Sequence, residues 1–123
     1  MVKHYNLASL TEMLGGDKEA KLRMIDIFLQ ATPETLAELN KSYQERDYKR
    51  VGELAHKLKS SVDIFEISEV KEDVRNVVKN CRQAMNLDQL YGLIGKINDV
   101  LSETFVQIRE ERDSLQLELK QFD

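Results

Sequence analysis

An all-α fold is predicted by three observations: apolar residues recurring at threes and fours instead of alternating, few helix breakers, and short polar breaks between the periodic stretches. The 123 residues include five Gly, one Pro and no Trp. At this length roughly two thirds of the unfolded surface can be buried, enough for one core without metal or disulfide. The predicted architecture is an antiparallel four-helix bundle over about residues 18–108. A short N-terminal helix over about 5–14 precedes it and a charged helical extension, 109–123, follows, all within one domain spanning 1–123.

The N-terminal segment Tyr5 to Leu14 is amphipathic and ends at Gly15-Gly16, after which Asp17 is placed to cap the first long helix. That helix carries the stripe Leu22, Ile25, Leu29, Thr32, Leu36, Leu39 and Tyr43, which predicts one helix from about Lys18 to Arg46. Pro33 either kinks it near Leu29 or, with Thr32 as N-cap, splits it in two; the unbroken phase favours the kink. A second helix is expected from Tyr48 to about Phe65, and the short connection Glu45-Arg46-Asp47 makes the two antiparallel. Ser68 is the expected N-cap of a third helix carrying Val70, Val74, Val77, Val78 and Cys81, and Asn86 with Gln89 reads as a capping box opening the fourth. The fourth helix has Leu87, Tyr91, Ile94, Leu101, Phe105 and Ile108 near heptad spacing. Leu115, Leu119 and Phe122 keep a 4-3 rhythm beyond a break at Arg112, so this tail either packs back on the bundle or pairs with another chain. Gly92 and Gly95 read most simply as marks of close helix packing.

With 18 Lys+Arg against 22 Asp+Glu, the net charge is −4 and no basic stretch is concentrated, which argues against nucleic acid or an anionic membrane as the main partner. Cys81, the single cysteine, cannot form an intramolecular disulfide, and the opening MVKHYNLASL lacks a signal-peptide core. No apolar run approaches the ~20 residues that span a bilayer. The expectation is a cytoplasmic protein with a protein or small-molecule partner.

Chemistry concentrates on the second helix. At ~100° per residue and with Leu58 as the centre of the buried stripe, Val51, Leu54, Ala55, Ser61, Val62 and Phe65 face the core. Gly52, Glu53, His56, Lys59, Ser60 and Asp63 take the other side, which puts the His56 imidazole in solvent. A solvated imidazole is mostly neutral at pH 7 and keeps a lone pair free for nucleophilic attack, for example on phosphorus. Lys59 at i+3 can balance the charge delivered, Ser60 at i+4 can donate a hydrogen bond to a phosphoryl oxygen, and Gly52 leaves room for an incoming partner. Spacing alone fits an ordinary solvated histidine on a charged helix face better still.

The segment Leu54-Ala55-His56-Lys57-Leu58-Lys59-Ser60-Ser61 resembles the A-H-x-L-K motif of histidine-containing phosphotransfer (HPt) domains, the relay modules of two-component signalling. Tyr5-Asn6-Leu7 through Gly15-Gly16-Asp17 is similar to the opening of stand-alone bacterial members, and Ile27-Phe28-Leu29 with Thr32-Pro33 and Leu36 to their first long helix. The likeness covers about residues 5–108. Ser60 and Glu66 stand where the family often has glycine, so the end of the second helix is where local geometry is in question. The resemblance implies reversible phosphoryl transfer between His56, with Lys59 beside it, and aspartates of receiver domains in response regulators and hybrid sensor kinases. It implies a phosphocarrier, not an enzyme with kinase or ATPase activity of its own. No cofactor is intrinsic; Mg²⁺ is expected in the receiver. Docking is expected on Gly52, Glu53, Lys57, Ser60 and Asp63, with Leu7, Leu10 and Ala31 as an apolar rim.

The other candidates read as structure. His4 sits at an end expected to fray, without acidic or Cys partners at ligand spacing, and Cys81 falls on a Val stripe as a buried thiol. Glu53-x-x-His56 is half of a di-iron motif whose second half is missing, and Gly15-Gly16 lacks the Gly-Lys-Ser/Thr of a phosphate loop, so neither metal nor ATP is expected. The alternative function is a non-catalytic helical adaptor, in which His56 is unused or the C-terminal helix recruits a partner by coiled-coil pairing. A monomer is expected, with a tail-mediated dimer open.

Overall fold

The computed structural model describes residues 2–121, and every described element is helical. The elements are α1 (Ala8–Met13), α2 (Lys18–Gln44), α3 (Tyr48–Ile64), α4 (Lys71–Gln83) and α5 (Leu90–Lys120), with single 3-10 turns at Ser68–Val70 and Leu87–Gln89. Helices α2 to α5 form the antiparallel bundle, each packed on its chain neighbour and α5 closing back on α2. Their apolar stripes meet in a core that includes Ile25, Leu39, Leu58, Val62, Val77, Ile97, Leu101 and Ile108. Phe28 links three helices at one end: it stacks on Phe65 at 4.2 Å between centroids and meets Phe105 edge-on at 5.8 Å.

α2 runs unbroken through Pro33, so the split at Thr32 is excluded. Asp17 caps it by accepting from the Ala20 N–H at 3.0 Å. It stops at Gln44, short of Arg46, because Arg46 turns left-handed (φ +59). The Asp47 N–H then reaches the Ser42 carbonyl and the Arg46 N–H the Tyr43 carbonyl, a Schellman closure. α3 ends the same way. Glu66 takes φ +47, and the N–H groups of Ile67 and Glu66 bond to the Val62 and Asp63 carbonyls. The turn is therefore made with Glu66, a residue that carries a Cβ, at the left-handed position.

Both later capping assignments are corrected. Ser68 opens a 3-10 turn and its side chain caps nothing; α4 begins after Val70. Asn86 is left-handed (φ +53) with no side-chain cap bond, and α5 begins only after Gln89, since a left-handed residue does not aim its amide at the following N–H groups. Tyr91, assigned to the fourth helix's apolar stripe, is 78% exposed. Gly92 and Gly95 do not mark close packing either, because a Cβ at either would meet nothing within 4 Å.

The N-terminal helix starts at Ala8, later than Tyr5, because residues 5–7 are outside any helix and the Asn6 side chain accepts from the Ala8 N–H at 2.8 Å. The Asn6 N–H bonds to the Phe65 carbonyl at 3.0 Å, which fastens this segment to the end of α3. The C-terminal tail packs back. Leu115 is buried and Leu119 half-buried, Arg112 Nε donates to Asp26 at 2.7 Å, and Lys18 pairs with Glu118. Phe122, the last residue of the expected rhythm, lies outside the described residues. No described helix is long and apolar enough to cross a membrane.

Candidate functional site

α3 begins at a capped end, where Asp47 accepts from the Arg50 N–H at 3.1 Å, and its period-3.6 pattern sends Leu54, Ala55, Leu58 and Val62 inward. The same period leaves Glu53, His56, Lys57 and Ser60 exposed, with Lys59 half-buried. His56 therefore stands midway along a helix whose other face is locked into the core. Its imidazole opens on a cleft of about 590 Å³ between α3 and the end of α4, lined by Lys49, Gly52 and Glu53 on one side and Cys81 and Arg82 on the other. A larger cleft of about 770 Å³ between α2 and α5 lies away from His56 and presents tyrosines and the amides of Asn40 and Asn98. The candidate site is the smaller cleft, which holds the exposed His56 imidazole.

Several expected docking residues are placed differently. Gly52 is buried: a Cβ there would come within 2.9 Å of Cys81 Cβ, so the missing side chain lets α3 and α4 approach instead of clearing space for a partner. Asp63 is engaged by Arg75 of α4, whose Nη2 donates to both carboxylate oxygens at 3.1 and 2.9 Å. Leu7 and Leu10 are buried, at 6% and 0% exposure, because α1 lays its apolar side on the bundle, and they form no rim. Ala31 is exposed.

Ile27, one turn before Ala31 and 60% exposed, is an apolar surface residue that the sequence reading passed over. Its signal was there, since it falls outside the stripe Leu22, Ile25, Leu29 and Thr32. Further along the same ridge of α2, Glu38 pairs with Arg50 of α3 at 2.9 Å, and Arg50 also reaches Glu53 at 3.4 Å. The α4 side was missed as well. Arg75, Lys79 and Arg82 fall at i, i+4 and i+7, one helical ridge, and line a second cleft of about 350 Å³ with Lys59. Cys81 is half-buried, and burial pushes its thiol pKa up, which favours the unreactive form.

His4 is the other histidine, and it is neither frayed nor on the surface. It is 9% exposed, with Nδ1 2.6 Å from Glu69 and Nε2 2.5 Å from Glu103, and its backbone N–H donates to Gln107 at 3.0 Å. Both ring nitrogens are engaged, so it offers no free nucleophile. Among the described residues no group of three His, Cys, Asp or Glu side chains is arranged to hold a metal ion.

The sequence model of the Hpt domain family matches residues 23–110, most of the bundle and all of α3. The chain belongs to the Hpt domain family. Hpt domains are phosphocarrier modules of phosphorelays that interact with receiver domains, and they are not kinases. No match was found among curated proteins or among solved structures.

Proposed function

We propose that this chain is a cytoplasmic histidine phosphotransfer protein that relays a phosphoryl group reversibly between His56 and receiver-domain aspartates of response regulators and hybrid sensor kinases. The observation that carries this reading is the exposed imidazole midway along α3, inside the matched region, with Lys59 and Ser60 within one turn of it.

An imidazole nitrogen of His56 attacks phosphorus, the aspartyl O–P bond breaks and the partner's carboxylate leaves; the return step reverses each change. The transition state spreads charge over the phosphoryl oxygens, and this chain supplies Lys59 as a cation and Ser60 as a hydroxyl donor toward it. Mg²⁺ and the larger part of the electrostatic stabilisation belong to the receiver. The bundle contributes positioning. A nucleophile on a helix whose far face is buried loses little orientational freedom when the partner docks. Exposed Glu53, Lys57 and Ser60 border it, with Ala31 and Ile27 as the apolar part of the docking face. In the adaptor alternative a free apolar seam on the C-terminal helix does the recruiting, but Leu115 and Leu119 are turned against the bundle.

The test treats the purified chain with phosphoramidate and follows intact mass before and after acid, with His56→Gln alongside and a chase by Mg²⁺ and purified receiver domains. The expected result is one acid-labile phosphoryl adduct, absent from His56→Gln and drained by at least one receiver. An unmodified His56, or an adduct no receiver removes, would sink the proposal.

A further inference from the structure

Charge is unevenly placed around His56. On α4, no acidic residue stands three or four positions from Lys79 or Arg82, so neither has a carboxylate at helical pairing distance on its own helix. Lys79 instead has Arg75 four residues before it and Arg82 three after, and like charges at those spacings repel. The neighbouring helix relieves them little: Glu53, the acid of α3 that lines the His56 cleft with Arg82, is held by Arg50 at 3.4 Å. Asp63, the acid that α3 turns toward this ridge, is taken by Arg75. Among the described residues Lys49, Lys59, Lys79 and Arg82 have no carboxylate within 4.0 Å.

Position makes this relevant to transfer. Arg82 lines both the 590 Å³ cleft that holds His56 and the 350 Å³ cleft that holds Lys59, Arg75 and Lys79, so the two clefts meet along one wall. A body that brings a reacting group to His56 must set part of its surface against that wall, closer than the ~8–10 Å over which salt screens charges. The wall is cationic in a chain of net charge −4, so it attracts what the rest of the molecule repels.

We infer that Lys79 and Arg82 on α4, with Lys49 and Lys59 on α3, form a cationic docking wall that selects receiver domains by the carboxylates bordering their phosphoacceptor aspartate. The inference rests on the relay reading and adds to it which receivers His56 exchanges with. Charge complementarity names the occupant. A site that must hold Mg²⁺ beside an aspartate is built from carboxylates, and a receiver whose rim extends that acidity toward α4 gains encounter rate, while one with a basic rim is repelled. Nucleic acid shares the negative charge, but the wall is short and the rest of the surface opposes a long polyanion.

The experiment uses the full chain loaded at His56 with phosphoramidate and a panel of purified receiver domains whose acceptor rims range from acidic to basic. Second-order transfer rates are measured across salt for wild type, Lys79→Glu/Arg82→Glu and Lys79→Ala/Arg82→Ala. Arg23→Glu/Arg109→Glu, which removes the same charge from α2 and α5, is the comparison, and circular dichroism checks folding. With acidic-rimmed receivers at low salt the reversal is expected to slow transfer by about tenfold or more and the alanine pair by less, both converging on wild type at high salt. The comparison variant should stay within about twofold, and wild type should rank receivers by rim acidity.

Rates and salt slopes unchanged in the α4 variants would overturn the inference, as would a loss equal at every salt concentration, which marks a structural defect. Binding of a single-stranded oligonucleotide at physiological salt, abolished by the reversal while transfer is untouched, would overturn it in favour of nucleic acid. Failure of wild type to load at His56 would defeat the relay reading itself, and is read before any receiver is added.

Discussion

His4 Nε2 lies 2.5 Å from Glu103 Oε2, joining the N-terminal segment to the middle of α5. Because Glu69 stands 2.6 Å from the other ring nitrogen, both nitrogens face oxygens that accept, and only the imidazolium can donate to both. The Glu103 hydrogen bond is the largest influence raising the pKa above 6.5, burial opposes it, and Glu69 adds to the rise. A raised folded pKa stabilises the protein fully below the unfolded value, near 6.5, and the contribution is lost as pH climbs through the folded value. Thermal unfolding of wild type and His4→Gln from pH 6 to pH 9 is therefore expected to show wild type ahead at pH 6 and the gap narrowing as pH rises. A gap constant across that range would mean the clamp does not titrate.

Glu66 predicts a stabilising substitution. Its φ of +47 costs a residue with a Cβ roughly 1–2 kcal/mol relative to glycine, and its Oε2 is buried without a hydrogen-bond partner. Part of the gain from Glu66→Gly is returned through the freer unfolded chain. The net expectation is a stabilisation of about 1 kcal/mol, or about 3–5 °C in Tm. A lower Tm would show that the Glu66 side chain supports the turn in a way its contacts do not reveal.

How much of this was legible in the sequence follows from the range of each interaction. The five helices come from a period of 3.6 residues, a local property of each stretch, and the exposure of His56 from that of α3 alone. The His4 clamp joins residues 65 and 99 positions apart, and no local pattern encodes such a meeting. Gly52 was misplaced for a related reason. It lies about 120° from Leu58 on the helical wheel, on the flank, where exposure depends on how closely α4 approaches. The α4 ridge could have been found, because Arg75, Lys79 and Arg82 keep helical spacing, but only the packing shows that it lies beside Lys59 and that Arg82 reaches the His56 cleft. The caps at Ser68 and Asn86 failed because residue type suggests a cap and backbone torsion decides it.

The glycines give a prediction with opposite signs. Gly52→Ala gains helix propensity of about 1 kcal/mol but forces a Cβ against Cys81 Cβ at 2.9 Å, an atom that cannot swing away. Overpacking of this kind costs about 1–3 kcal/mol, so a net loss is expected, and Cys81→Gly should relieve the clash within the double variant. Gly92→Ala and Gly95→Ala meet nothing within 4 Å and should each stabilise by roughly 0.5–1 kcal/mol. Urea unfolding of the four variants reads all of this, and equal effects at the three glycine positions would contradict the assigned packing.

The C-terminal tail separates stability from transfer. Leu115 is 8% exposed, and the tail bonds to α2 through Arg112–Asp26 and Lys18–Glu118. Truncating a buried leucine to alanine costs about 2–5 kcal/mol, the lower end applying where neighbours can collapse into the space, as at this open end of the bundle. Leu115→Ala is expected to lower urea stability by about 2 kcal/mol while leaving the rate of His56 phosphorylation by phosphoramidate within twofold, because α3 keeps its packing on α2 and α4. If the variant kept full stability and instead changed the oligomeric state in sedimentation, Leu115 would be a contact between chains. A slowed His56 reaction in the folded variant would mean the tail reaches the site through α2.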